Sequence, residues 1–211
     1  MNIKWLQHSC FLLTSKTGTR ILTDPPGEYT GYKPGKTAAD IVTMSHKHKD
    51  HSNIEITEGK FISLEEPGEY SYRDIQVKGI STFHDEFEGE KRGRNIVFVF
   101  DIDGLRVCHC GDLGHQLSNR QLEEIGHIDI LLVPVGSVYT INYSGALKVM
   151  EALKPKVTIA MHFKTKALTF ELDTPEKFIE ATGAKRLTAG DMDISIDNIG
   201  EIPSTVLLNY K

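Results

Sequence analysis

The chain has 211 residues, 39% hydrophobic and 25% charged, with a net charge of −5. That is enough apolar material for one sizeable core, and too mixed a composition for a disordered or low-complexity protein. The acidic balance argues against a groove for nucleic acid, and no run approaches the roughly 20 apolar residues of a membrane span. Gln7, His8 and Ser9 interrupt the N-terminal apolar run before a signal sequence could form, so a soluble, cytoplasmic protein is expected. Cys10, Cys108 and Cys110 make no spaced pairs, which excludes a disulfide framework. Cys108-His109-Cys110 has no second Cys/His pair to complete a zinc site and reads as buried thiols on a strand.

In chain order, "IKWL", "CFLLTS" and "RILTD" read as strands, followed by the β-branched "DIVTMS" (residues 40–45), "GKFISL" and "DIQVKGISTF" (residues 74–83). "NIVFVFDID" and "LRVCHC" flank Gly104 as a hairpin. "IDILLVPV" and "KVTIAM" are unbroken apolar runs, as expected for strands buried on both faces. Three helices are predicted. "SNRQLEEIG" opens with a capping box of Ser118 and Gln121, "SGALKVMEALKP" stops before Pro155, and "TPEKFIEATG" has Thr174 as N-cap, Pro175 at the first helical position and Gly183 past its end. Strands lead and helices alternate with strands later, which suggests sheets covered by helices on their outer faces in one domain spanning residues 1–211.

Polar residues gather where strands should end. "DIVTMS" is followed by His46-Lys47-His48-Lys49-Asp50-His51, "DIQVKGISTF" by His84-Asp85, "LRVCHC" by Gly111-Asp112, and "KVTIAM" by His162. If those ends share one edge, the side chains converge there. Imidazole and carboxylate donors without thiolate suit zinc, manganese or iron. Seven ligands are too many for one tetrahedral ion and suit two, each with three private ligands and a shared carboxylate. Two ions about 3.5–4 Å apart would bridge a hydroxide nucleophile and stabilise charge on a carbonyl or phosphoryl oxygen. Lys47 and Lys49 should point away from such a centre, and His127 reads as an ordinary surface histidine.

"TDP" at Thr23–Pro25, "SHKHKDH", "FHD" at His84, "CGDLGH" around Asp112 and "MHFKT" at His162 occur in this order. Together they resemble the metallo-β-lactamase superfamily over nearly the whole chain, and most nearly its L-ascorbate-6-phosphate lactonase-like branch of metal-dependent hydrolases. The resemblance implies an α/β fold, a four-layer αββα sandwich with the metals at one edge. It implies one ion held by His46, His48 and His84, a second held by Asp50, His51 and His162, and Asp112 bridging them, with Asp50 and Asp112 serving catalysis. Asp24 resembles the family's early aspartate, which would buttress the ligand loop. The presence of Asp112, where lactamases have a nearby cysteine, argues against a true β-lactamase.

Beyond the ligands, Tyr139, Lys164, Arg92 and Arg94, with Lys91 and Thr165 nearby, are candidates for contact with an anionic small-molecule substrate. A solvated basic turn is the competing account of residues 91–94. His8 and His115 could relay protons or brace ligands, although isolated histidines are more often structural. The expected function is hydrolysis of a small anionic lactone, ester or phosphodiester with two divalent ions, zinc first and manganese or iron as alternatives. A nuclease of the same superfamily and a non-catalytic metal- or ligand-binding protein are the competing readings. Aromatic residues in "GEYTGY" and "PGEYSY" hint at an exposed contact surface, and hence at a homo-oligomer.

Overall fold

A computed structural model describes residues 1–33 and 35–210. The chain opens with three strands that turn back on one another, β1 (Asn2–Gln7), β2 (Cys10–Thr14) and β3 (Arg20–Thr23). Five shorter ones follow: β4 (Thr37–Ala38), β5 (Ile41–Thr43), β6 (Thr57–Glu58), β7 (Ile62–Leu64) and β8 (Gly68–Tyr72). Two long strands, β9 (Ile75–Phe83) and β10 (Arg94–Ile102), lead to β11 (Leu105–His109), α1 (Asn119–Ile125), β12 (Ile130–Pro134), α2 (Tyr143–Leu153), β13 (Val157–Met161) and α3 (Glu176–Thr182). Three short strands end the chain, β14 (Lys185–Arg186), β15 (Asp191–Asp193) and β16 (Thr205–Leu207).

The strands assemble into a six-stranded sheet, β15-β1-β2-β3-β5-β7, and an eight-stranded sheet, β14-β16-β13-β12-β11-β10-β9-β8, with β4 and β6 as a separate pair. Alternation sends Ile3 and Trp5 of β1 inward and Lys4 outward. The two sheets share one core, in which Phe11, Leu13 and Ile21 of the first join Phe98, Phe100 and Val107 of the second. β12 and β13 are buried at every position, which is why they read as continuous apolar runs. Helices α1 and α2 pack on β9 and β12, and α3 packs on α2. The outer face of the six-stranded sheet is covered by Ile56 of a 3₁₀ turn, with Ala39 and Phe61 over Cys10, Leu22 and Val42. This is the αββα sandwich with a thin outer layer on one side. No helix among the described residues is long and apolar enough to cross a membrane.

The β10–β11 hairpin turns through Asp103 and Gly104, both at positive φ, as a two-residue turn between right-twisted strands requires. The α1 capping box forms as expected. Helix α2 starts one residue before Ser144, capped by the Asn142 side chain. At α3 the cap is Pro175, with no side-chain bond, so Thr174 does not cap it. "PGEYSY" is no free surface but largely edge strand β8, and its Tyr70 and Tyr72 lie half-buried against the core.

One consequence of the pairing sets the site. β10 runs antiparallel to both β9 and β11, while β11, β12 and β13 are mutually parallel, so β9, β11, β12 and β13 all point the same way. Their carboxyl ends therefore lie along one edge. In the other sheet β3 and β5 are parallel and deliver Asp24 and His46 together.

Candidate metal centre

The ligand loop leaves β5 at Met44 and closes in a tight turn in which the His51 N–H donates to the His48 carbonyl (2.9 Å). Asp24 holds it from behind. Its Oδ1 accepts the Ser45 N–H (2.7 Å), and its Oδ2 accepts the Ser45 hydroxyl (2.6 Å) and His51 Nδ1 (2.9 Å). Because the Ser45 proton goes to Asp24, the 2.9 Å contact between Ser45 Oγ and His46 Nδ1 has the imidazole as donor. Both imidazoles thereby turn Nε2 towards Asp112, the arrangement in which an outer carboxylate orients metal ligands.

His84 follows β9, Asp112 follows β11, and His162 follows β13. Asp112 Oδ2 lies 3.2 Å from His51 Nε2, 3.3 Å from His84 Nε2, 3.1 Å from His162 Nε2 and 3.9 Å from His46 Nε2. Buried Asn95 holds the Asp112 loop, accepting the Asp112 N–H and donating to the Cys110 carbonyl. Donor atoms of His46, His48 and His84 lie within 4.8 Å of one another, and so do those of His8, Asp50, His51 and His162. A third grouping of Asp24, His46 and His51 meets the same distance. There, however, both Asp24 oxygens already serve Ser45 and His51, so Asp24 is a support.

His8 is the member that sequence reasoning placed too far out. It occupies the turn between β1 and β2 at φ 51, and its carbonyl accepts bonds from Trp5 Nε1 (2.9 Å) and from the His162 N–H (3.3 Å). The ring is fully buried, 4.1 Å centroid to centroid from His162, with Nε2 3.5 Å from Asp50 Oδ2. The only sequence signal was its position at a strand end, the same signal that identified His84 and His162. By contrast His115 uses one nitrogen to accept the Phe83 N–H and the other to donate to the Gln116 carbonyl, and it braces a loop. His127 is exposed, as expected.

Eight of the twelve buried side-chain nitrogen and oxygen atoms without a hydrogen-bond partner among the described residues belong to His8, His46, His51, His84, Asp112 and His162. Such atoms are costly unless something polar meets them. One donor atom from each of several of these residues gathers within 4.8 Å of the others, a spacing and donor chemistry that fit a divalent cation. Protonation agrees. Burial and neighbouring His51 push His46 down to about 3, and burial and His162 push His8 down to about 4. Burial would raise Asp112, but His162 and His51 outweigh it and hold the carboxyl well below the usual range. Burial would lower His51, but Asp112 and Asp24 lift it well above. The carboxylates stay ionised and call for positive charge among them, which is what metal coordination uses.

Residues 2–162 match the family model described as "Beta-lactamase superfamily domain". The chain belongs to the metallo-β-lactamase superfamily. Among its superfamily relatives is a protein of Archaeoglobus fulgidus named UPF0173 metal-dependent hydrolase, 31% identical, with 95% of this chain and 97% of that protein covered. A protein of the same designation from Thermoplasma acidophilum is 29% identical over 87% of this chain and 91% of its own length. A crystal structure from Thermotoga maritima, assigned to the metallo-β-lactamase superfamily as a candidate zinc-dependent hydrolase, superposes with a TM-score of 0.83 at 38% identity, covering 100% of this chain and 99% of that one.

In this superfamily member a cleft of about 410 Å³ opens over the histidines, walled by Tyr29, Lys91, Arg92, Tyr139 and Phe170, with His48, Asp50, His84 and Asp112 at its base. Of the residues expected to meet substrate, Arg92 and Tyr139 line this cleft. Arg94 does not: it begins β10 beyond the His46–His48 edge, in a neighbouring hollow with Glu65 and Glu66. Lys164 does not reach the cleft either. Its ammonium binds the carbonyls of Leu168 and Phe170 and the Glu171 carboxylate, tying the turn that presents Phe170. Thr165 bonds the Tyr32 hydroxyl, and Tyr32 is buried, so of the "GEYTGY" aromatics only Tyr29 is exposed. Tyr29 is exposed, as read, and also borders the cleft beside Asp50. Burial and that carboxylate push its phenol pKa upward. Lys47 and Lys49 are exposed, with Lys47 3.9 Å from Glu65.

Proposed function

We propose that the chain is a metal-dependent hydrolase of a small anionic lactone, ester or phosphodiester, acting in the cytoplasm. The observation that carries this is Asp112 Oδ2, set 3.1–3.9 Å from the Nε2 atoms of four histidines drawn from three segments of the chain. His46, His48 and His84 would hold one ion. Asp50, His51 and His162 would hold a second, with His8 in reach of it and Asp112 shared. The donor set suits zinc, and manganese or iron are the alternatives. Bound there, a pair of divalent ions supplies a water activated near neutral pH and a positive field for charge forming on the substrate.

The chain's own groups do the rest. Burial would raise the Asp50 carboxyl, but the His8 contact and the charge of His51 hold it far below its ordinary range. It therefore stays ionised and orients a water by accepting its hydrogen bond. Arg92 and Lys91 sit at the wall, where they can meet a substrate anion. Three unpaired, buried cysteines suit a reducing compartment.

The test joins metal analysis to turnover. Purified protein loaded with zinc or manganese should bind two equivalents and hydrolyse at least one member of a panel of lactones, esters and phosphodiesters. His48→Ala and Asp112→Ala should lose both properties. A wild-type protein that cannot be loaded with any transition metal would end this reading.

A further inference from the structure

Of the seven exposed large hydrophobic side chains among the described residues, Tyr29 (52% exposed) and Tyr139 (39%) line the cleft, Phe87 (50%) lines an adjoining hollow that also includes Tyr139, and Val138 (47%) precedes Tyr139 on the same loop. Scattered exposed apolar residues are ordinary, but a cluster rimmed by polar groups marks a binding surface. Tyr29, Tyr139 and Phe170 wall the cleft itself, with the Tyr139 and Phe170 rings 6.0 Å apart and edge to face.

The loops that carry this collar are held in place at a cost. Ser137 and Val138 are consecutive residues at φ 57 and 56, a region that a β-branched valine rarely enters. Strain of this kind persists where the surroundings over-determine it, and it concentrates at functional sites. Here the surroundings are visible. Arg92 Nη2 donates to the Val138 carbonyl (3.1 Å), and its guanidinium lies 5.4 Å from the Tyr139 ring centre. The turn is anchored at Gly136, where a Cβ would come within 2.1 Å of the His162 carbonyl, so a side chain there would collide with the ligand-bearing segment. The geometry of the mouth is thereby tied to that of a metal-type ligand. Arg92 is placed in turn by Asp85, whose carboxylate accepts the N–H groups of Phe87, Gly89, Lys91 and Arg92. Lys91 Nζ lies 3.5 Å from the Phe87 ring centre, so the second cation of the wall also rests on an aromatic.

Flat apolar walls beside two fixed cations, above a floor of metal-type ligands, are selective for one shape of molecule. Resting on the metal-hydrolase reading above, we infer that the substrate is a small anion with a flat apolar body. Its reacting carbonyl or phosphoryl group is directed to the floor and its ring lies between Tyr29, Tyr139 and Phe170. An aryl ester, aryl lactone or aryl phosphodiester fits this description.

Two phosphonates that share one headgroup separate the body from the charge. Dissociation constants of methylphosphonate and phenylphosphonate are measured by calorimetry on the zinc-loaded protein at fixed ionic strength. Phenylphosphonate is expected to bind about tenfold or more tightly, the gain for enclosing one ring. Phe170→Ala and Tyr139→Ala should bring the two affinities towards equality while methylphosphonate binding is retained, and Arg92→Gln should weaken both ligands by a similar factor. Equal affinities in the wild-type protein, or a preference that survives both aromatic replacements, would overturn the inference while leaving the metal site standing. A collar that instead joins two copies of the chain would show no phenyl preference and would sediment as a dimer, which also overturns it. Failure of the protein to take up zinc removes the hydrolase reading, and this inference with it.

Discussion

His8, fully buried at a φ of 51, brings one ring nitrogen to the group containing Asp50, His51 and His162. Replacing it should therefore be felt by one ion and not the other. His8→Ala is expected to weaken one of two zinc equivalents by roughly 10–100-fold, the usual consequence of disturbing a ligand or its support. His115→Ala should leave both unchanged, because its nitrogens bond the Phe83 and Gln116 backbone. Competition with a coloured chelator reads the two affinities directly, and equal loss in both variants would make His8 merely structural. The ligand cluster at 46–51 was legible because its spacing is local, and His84, Asp112 and His162 because each ends a strand. Lys164 was misread because adjacency to His162 says nothing of direction: at φ 50 the chain turns sharply at that histidine, and Lys164 bonds the 168–171 turn. Tyr29 was read as an exposed contact aromatic but not placed at the cleft, because no short-range pattern distinguishes a loop tyrosine over a cleft from one in solvent.

The loop between β9 and β10 depends on one carboxylate. Burial alone would raise the Asp85 pKa, but the four N–H groups it accepts outweigh that and hold it below the ordinary range. The sign follows from linkage: a depressed pKa contributes order that is complete above about pH 4, the ordinary aspartate value, and is lost as pH falls further through the folded-state pKa. Amide exchange in residues 86–92 should thus be protected at neutral pH and should lose that protection selectively only below about pH 4, once the intrinsic pH dependence of exchange is allowed for. Asp85→Asn, which must set an amide –NH₂ against backbone N–H donors, should show fast exchange there at pH 7 with little change in β12 or β13. Exchange indistinguishable from wild type at Lys91 and Arg92 would refute this account. The hairpin at Gly104 and the capping box of α1 were readable because each is set by residues only a few positions apart. Thr174 illustrates the limit, since a boundary one residue later leaves its hydroxyl without a capping role.

At the scale of the whole molecule the candidate site is the seam between the two sheets. Asp24 and His46 come from one sheet, and His84, Asp112 and His162 from the other. An ion bound across it would bind the folded chain far more tightly than the unfolded one, in which only the 46–51 cluster stays together. At a free zinc concentration a thousand times the dissociation constant, stability should rise by about 4 kcal/mol. Denaturant unfolding with and without zinc, reversed by chelation, measures this, and no shift would mean that the seam is not bridged. The apolar strands foretold sheets covered by helices, and the family resemblance implied the sandwich. The closing strands β14, β15 and β16 were not foreseen, because elements of two or three residues carry too little periodicity and β15 pairs with β1 across nearly the full length of the chain.

Trp5, the single tryptophan, donates its indole N–H to the His8 carbonyl and lies 5.3 Å from the Phe163 ring, beside His162. The one strong fluorophore in the chain is thus wired by a hydrogen bond to the backbone of the group that would close around the second ion. The unlabelled protein carries its own optical reporter, placed on the His8–His162 half of the site. Emission followed during a zinc titration can then assign the order in which the two halves fill, information that bulk metal analysis averages away.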